Sequence, residues 1–222
     1  MEPMKFMMPP TRFTAPGPRK SAAFTLVEML VVVAIMAVLM GLLMPAMTSM
    51  LAGTNLAQGG KELADQVALA RQIASTRNCT IELRLIKLAS LNAQGYSALQ
   101  LWMSSPTASG SMAPAGKAVT LPQAVAISED KTQLSKMLGF LTVSGTMPAG
   151  GAVANAPYVS FSIRPSGAVV PVVSGTTNGF PSRSSLFLTV VPARFAAATT
   201  PPPNFTTVQL NPDTGSVLLF RP

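Results

Sequence analysis

From Met29 to Met47 the chain runs for 19 residues without a charge, MLVVVAIMAVLMGLLMPAM. At 1.5 Å of rise per residue a helix of that length spans about 28 Å, close to the roughly 30 Å of bilayer hydrocarbon. Apart from Glu28, nothing charged stands between Lys20 and Lys61. Before the run, Lys5, Arg12, Arg19 and Lys20 face only Glu2, a net charge of +3. Basic residues ahead of an apolar run keep the N-terminus cytoplasmic and send the following part across the membrane. A secretory signal peptide has a shorter apolar region, about 7–15 residues, and ends in a small-x-small cleavage site. Here the run is longer, and Pro45-Ala46-Met47-Thr48-Ser49-Met50 offers only a poor site. The expectation is a retained single-pass membrane anchor, with residues 24–47 as its transmembrane part.

Composition then removes most chemistry. The 222 residues contain no His and one Cys, Cys79. That excludes an imidazole-based triad, a His-ligated metal, an intramolecular disulfide and a multi-Cys zinc site. Eight acids, scattered except for Glu129-Asp130, are too few for a multi-carboxylate calcium cage. We therefore expect no metal, no cofactor and no enzyme. Charged residues make up 11% of the chain against about 25% in an average soluble domain, and the net charge is +8. Three of those eight charges sit in the first 23 residues. The other five are dispersed, without the clustered patch that nucleic-acid binding needs.

Beyond the apolar run the helical period continues. Leu56, Leu63, Val67, Ala70 and Ala74 recur at three- and four-residue spacing, with Lys61, Glu62, Asp65 and Arg71 between them. Gly53, Gly59 and Gly60 weaken this stretch, each by up to about 1 kcal/mol relative to Ala, and Pro45 should kink the membrane part. The spacing predicts one long, bent helix from Phe24 to Arg77. After Asn78 the period becomes two. In Thr80–Leu85 the apolar Ile81, Leu83 and Leu85 alternate with Thr80, Glu82 and Arg84, as in a half-buried strand. Tyr96–Met103 follows, with Tyr96 and Trp102 on one face. Further strands are expected at Ala118–Leu121, Ala124–Ser128, Tyr158–Arg164, Ala168–Val173, Ser185–Val191, Thr206–Leu210 and Ser216–Phe220. Ser104–Gly116 and Thr142–Ala156 read as loops. Asn211-Pro212-Asp213-Thr214-Gly215 is a hairpin-loop signal, with Asp213 as turn former and Gly215 free to take φ > 0. The expected fold class is α+β: a long N-terminal helix, then an antiparallel sheet or sandwich. Its parts are a leader (1–23), a helix (24–77) and an exported β-rich domain (78–222).

An acid at the edge of an apolar run needs a reason, since translocon scales place a central one at about 2.5–3.5 kcal/mol. An acid lying just outside the hydrocarbon would need no partner. The neighbours of Glu28 say more. Arg19-Lys20, Ala23 and Phe24-Thr25-Leu26-Val27-Glu28, followed by the apolar helix, resemble the signature of type IV prepilins and type II secretion pseudopilins. Pro45 falls where many pilin helices carry a proline. The resemblance implies cleavage between Ala23 and Phe24 by prepilin peptidase and N-methylation of Phe24. It also implies pairing of Glu28 with the Phe24 amine of a neighbouring subunit as helices bundle into a filament. Opposite charges attract strongly in such a low-dielectric bundle, and an unpaired one is penalised. The family usually has Gly before the cut, where this chain has Ala23.

The long helix followed by a β domain looks like the minor pseudopilin H and related minor pilins. The segments Arg77–Leu83, Phe161–Gly167 and Asn211–Val217 also resemble the D-type proteins of the Verru_Chthon cassette, prepilin-like proteins of Verrucomicrobia. The resemblance implies a structural subunit whose partners are other pilin-like subunits, prepilin peptidase and the inner membrane. Its C-terminal domain would be periplasmic or in an extracellular filament. The alternative is a ligand-binding minor pilin for DNA or a surface glycan.

Overall fold

The computed structural model describes residues 24–88, 94–104, 112–141, 144–149, 153–172, 180 and 186–222, with the side chains of 42–49 outside the description. Helix α1 runs over Leu26–Arg77. It starts two residues later than the apolar pattern suggests, because Thr25 is its N-cap. Its end falls at the expected residue for a local reason. Asn78 takes a positive φ of 48°, and the Cys79 N–H returns to the Ala74 carbonyl at 3.2 Å. That is the geometry of a Schellman C-cap, which an Asn tolerates.

The chain divides into two compact units, 1–45 and 46–222. In the first, the described apolar side chains are exposed all round the helix, from Phe24 and Leu26 to Leu39 and Met40. In the second, the predicted stripe lies in the core: Leu56, Leu63, Val67, Ala70 and Ala74 are all buried. Burying each larger one contributes roughly 1.5–3 kcal/mol. Gly59 and Gly60 are buried too, and Gly60 completes the stripe between Leu56 and Leu63. A Cβ on Gly60 would stand 2.5 Å from Thr206 Cγ2, and one on Gly59 would stand 3.2 Å from both Val125 Cγ2 and Val190 Cγ1. The two glycines are therefore more than weak helix formers; they let the helix backbone approach a sheet.

That sheet is antiparallel and holds β5 (Val125–Ile127), β9 (Phe187–Pro192), β10 (Thr206–Leu210) and β11 (Val217–Phe220), in the order β11-β10-β9-β5. The other sheet is built on β1 (Ile81–Ile86), flanked by β2 (Ala98–Ser104) and β7 (Pro157–Ile163). The short strands β3 (Met112–Pro114) and β4 (Val119–Thr120) pair with β2, while β6 (Ser144–Thr146) and β8 (Val169–Pro171) pair with β7. All these pairings are antiparallel. Both sheets and the second part of α1 share one core, in which Leu83 lies between Leu101 and Phe161. The α+β class is thus as expected.

Three expectations change. First, β3 and β6 lie in stretches read as loops; three-residue edge strands without alternation give no periodic signal. Second, β1 is buried on both faces, not half-buried. Its second face, with Ile86, packs in a separate cluster with Ala98, Trp102, Met147 and Val153. Third, Tyr96 does not share the Trp102 face. It precedes β2, bridges to Ile127 of the other sheet and packs on the main core. In the hairpin after β10, Gly215 has φ +62° as expected, but the turn is closed by Asn211, whose Oδ1 accepts from the backbone N–H groups of Asp213 and Thr214. Cys79, at the end of the helix cap, is partly buried against the core.

Candidate functional site

The N-terminus of α1 is built by a reciprocal pair. The Thr25 backbone N–H and hydroxyl donate to Glu28 Oε2 at 2.9 and 3.0 Å, and the Glu28 N–H donates to Thr25 Oγ1 at 3.2 Å. This is a capping box, in which the N-cap and third helical residue each satisfy a backbone donor that the first turn leaves free. The Thr-x-x-Glu spacing shows it in the sequence, and reading Glu28 only as a partner for another chain overlooks it. Glu28 also stands where an acid favours the helix dipole, as Arg77 does at the other end. Among the described residues no cation pairs with Glu28, so its charge is still available. Phe24, one turn before it, is 74% exposed. Ala23 lies outside the described residues. Pro45 lies within α1, but its side chain is outside the description, so the expected kink is not addressed. Among the described residues, no helix is long and apolar enough to cross a membrane. The uncharged sequence run continues into 42–47, whose side chains are not described.

A second polar cluster lies on the far face of β1. Arg84 Nε donates to Glu82 Oε1 at 2.9 Å, and both side chains are 8% exposed. The guanidinium sits 4.0 Å from the Trp102 ring centroid and 4.3 Å from that of Tyr158. Trp102 Nε1 in turn donates to Gln100 Oε1 at 3.2 Å. The two charges cancel, and the rings replace part of the lost hydration of the cation. With its charges paired, the cluster holds no nucleophile beside a free base. Only part of the signal lies in the sequence: opposite charges two apart on one strand face, while the aromatic residues come from β2 and β7. The alternating pattern assigned that face to water instead.

The acidic dipeptide is also spent on structure. Glu129 pairs with Lys87 Nζ at 2.7 Å and accepts the Gly95 N–H. Burial, and then the Glu129 charge, push the Tyr96 phenol above its usual range. Asp130 caps the turn that follows, accepting from the N–H groups of Thr132, Gln133 and Leu134 and from the Thr132 hydroxyl. Burial works to raise its pKa, but these hydrogen bonds together hold it below the ordinary 3.8. Among the described residues no group of acids and Cys is arranged to hold a metal.

Residues 18–44 match the family model described as the prokaryotic N-terminal methylation motif. The matched segment holds the N-terminal methylation motif of prepilin-type proteins, and it carries the capping box and the first apolar part of α1. Among solved structures, the chain is similar to the minor pseudopilin EpsH from the type 2 secretion system of Vibrio cholerae. The identity is 10%, the coverage 76% of this chain and 98% of that one, and the TM-score 0.42. A likeness that loose carries no weight for fold or function. No curated protein matches the sequence.

Proposed function

We propose that this chain is a minor pilin-like or pseudopilin-like subunit, anchored in the inner membrane and assembled through the N-terminal part of α1. The observation that supports it most is the combination in the prepilin-type segment: a helix apolar on all sides with exposed side chains, headed by one acid. Contiguous exposed apolar surface of this kind marks a membrane or protein interface, and an all-round apolar helix is not a surface helix of a soluble domain. In this reading prepilin peptidase cuts between Ala23 and Phe24, and the new Phe24 amine is methylated. Glu28, whose carboxylate already closes the helix end, then meets the Phe24 amine of a neighbouring subunit. The C-terminal part is exported and caps a filament or contacts cargo.

Mass spectrometry of protein from native membranes tests the processing: the expected N-terminus is methyl-Phe24. An intact Met1, or a cut after Ala46, overturns the reading. Glu28 has two roles, and they separate by substitution. Gln at 28 can keep the capping hydrogen bonds but has no charge. If pairing with an amine is what Glu28 supplies, Glu28→Gln should fail to co-purify with other prepilin-type subunits as completely as Glu28→Ala. If Glu28→Gln assembles like the parent chain, only the capping role stands.

A further inference from the structure

Two glycine turns, Pro165-Ser166-Gly167 and Asp213-Thr214-Gly215, meet at one side chain. Gly167 has φ +87° and Gly215 φ +62°. A Cβ on Gly215 would stand 2.8 Å from Arg71 Cδ and 3.2 Å from its Cγ, and a Cβ on Gly167 would stand 3.7 Å from Arg71 Nε. Both glycines are needed for their backbone conformation, and the missing Cβ atoms leave the channel through which the arginine passes. The turns are tied together by the Val169 N–H, which donates to the Pro212 carbonyl at 2.7 Å.

The arginine so held is poorly served by its own chain. Its Nε is shielded from solvent and has no hydrogen-bond partner among the described residues. Among the described residues no acid forms a salt bridge with it, although Lys61, Arg84 and Lys87 each have one. Arg71 lines a cavity of 290 Å³ together with Ala68, Gln72, Ser75, Ser166 and Gly167 among others, and no lining residue is acidic. Guanidinium N–H groups form a rigid fork that matches the two oxygens of a carboxylate. The shielded Nε lies in the channel, so an incoming carboxylate would meet the terminal amino groups of the guanidinium, which are not among the shielded atoms without a partner. We propose that this cavity is a receptor site for a single carboxylate brought by another molecule, held by the Arg71 guanidinium with the Ser166 hydroxyl beside it. The carboxylate could belong to an Asp or Glu side chain of a neighbouring protein or to a small free acid. The site does not depend on the pilin-like reading.

The test uses the full chain in detergent micelles, labelled with 15N at arginine, and follows the Nε–H resonances during titration. Sodium acetate should shift the Arg71 resonance saturably, while sodium chloride at equal ionic strength should not. Ser166→Ala, which leaves the guanidinium channel intact, should weaken acetate binding about tenfold, the lower worth of a hydrogen bond to a charged group. A capped tripeptide with a central Glu distinguishes the source. If it binds at least as tightly as acetate, the site is open to a protein side chain; if it is excluded while acetate binds, the natural ligand is a small free acid. An acetate response no larger than that to chloride overturns the proposal, and that result needs no variant to fold.

Discussion

Replacing Gly60 by alanine sets two effects against each other. In a helix interior the exchange should stabilise by about 0.8–1 kcal/mol, because glycine carries more backbone freedom in the unfolded chain. At this position, however, the new methyl would stand 2.5 Å from Thr206 Cγ2 and 3.2 Å from Thr206 Cβ. Thr206 is buried, β-branched and paired with Val190 across β10 and β9, so its side chain cannot swing aside freely. Overpacking of this kind costs about 1–3 kcal/mol, and the severity of the overlap places it at the upper end. The expected net effect of Gly60→Ala is a destabilisation of about 1–2 kcal/mol. For a unit of this size that lowers the melting temperature by about 2–8 °C. The assay is thermal and urea unfolding of the full chain in micelles, followed by far-ultraviolet circular dichroism. The second variant is Gly60→Ala/Thr206→Ser, which removes Cγ2 and keeps the hydroxyl. It should recover at least half of the loss. If Gly60→Ala raises the melting temperature, or if the Thr206→Ser exchange recovers nothing, close approach of helix and sheet is not the reason for the glycine.

Three further outcomes are expected from the same unfolding measurements. Glu82→Ala leaves the Arg84 charge buried without its partner and should cost about 3–5 kcal/mol, whereas the double exchange Glu82→Leu/Arg84→Met should cost much less; equal losses would mean that the pair is not coupled. Asp130 has a lowered pKa, so its contribution is present above the ordinary 3.8 and is lost as pH falls through the folded value. Asp130→Asn should therefore flatten the acid loss of stability below that pH, and an unchanged acid limb would contradict the capping role. Gly95 has φ +95°, and a Cβ there would lie 2.7 Å from the Ile127 carbonyl oxygen. Gly95→Ala should lose at least about 2 kcal/mol, since backbone strain and overpacking each cost roughly 1–3; a near-neutral result would show that this turn can open.

What the sequence made legible follows from range. The helix end at Arg77, the stripe from Leu56 to Ala74, and the Thr206–Leu210 strand depend on local period and capping, and these repeat in a single chain. The double burial of β1 does not. It depends on Trp102 and Tyr158 arriving from β2 and β7, and on Met147 covering the far face, so Glu82 and Arg84 looked like solvent-facing residues. The same limit applies to the glycines. Gly60 reads as a helix defect until Thr206, distant in sequence, is placed against it. Gly215 reads as a local hairpin residue until Arg71 and the Gly167 turn are found beside it. Glu28 is the opposite case. Its distant role was inferred from resemblance, while its local one, the Thr25–Glu28 box, could be read from four consecutive residues. The proposed pairing is compatible with the box, which uses Oε2 and, among the described residues, leaves the charge without a cation. A helix end already closed by this carboxylate would offer an incoming amine a fixed target, whereas a frayed end would have to order first. In the proposed assembly the acid at the head of the apolar run would set register, because the Thr25 box holds it in place and no cation among the described residues neutralises it.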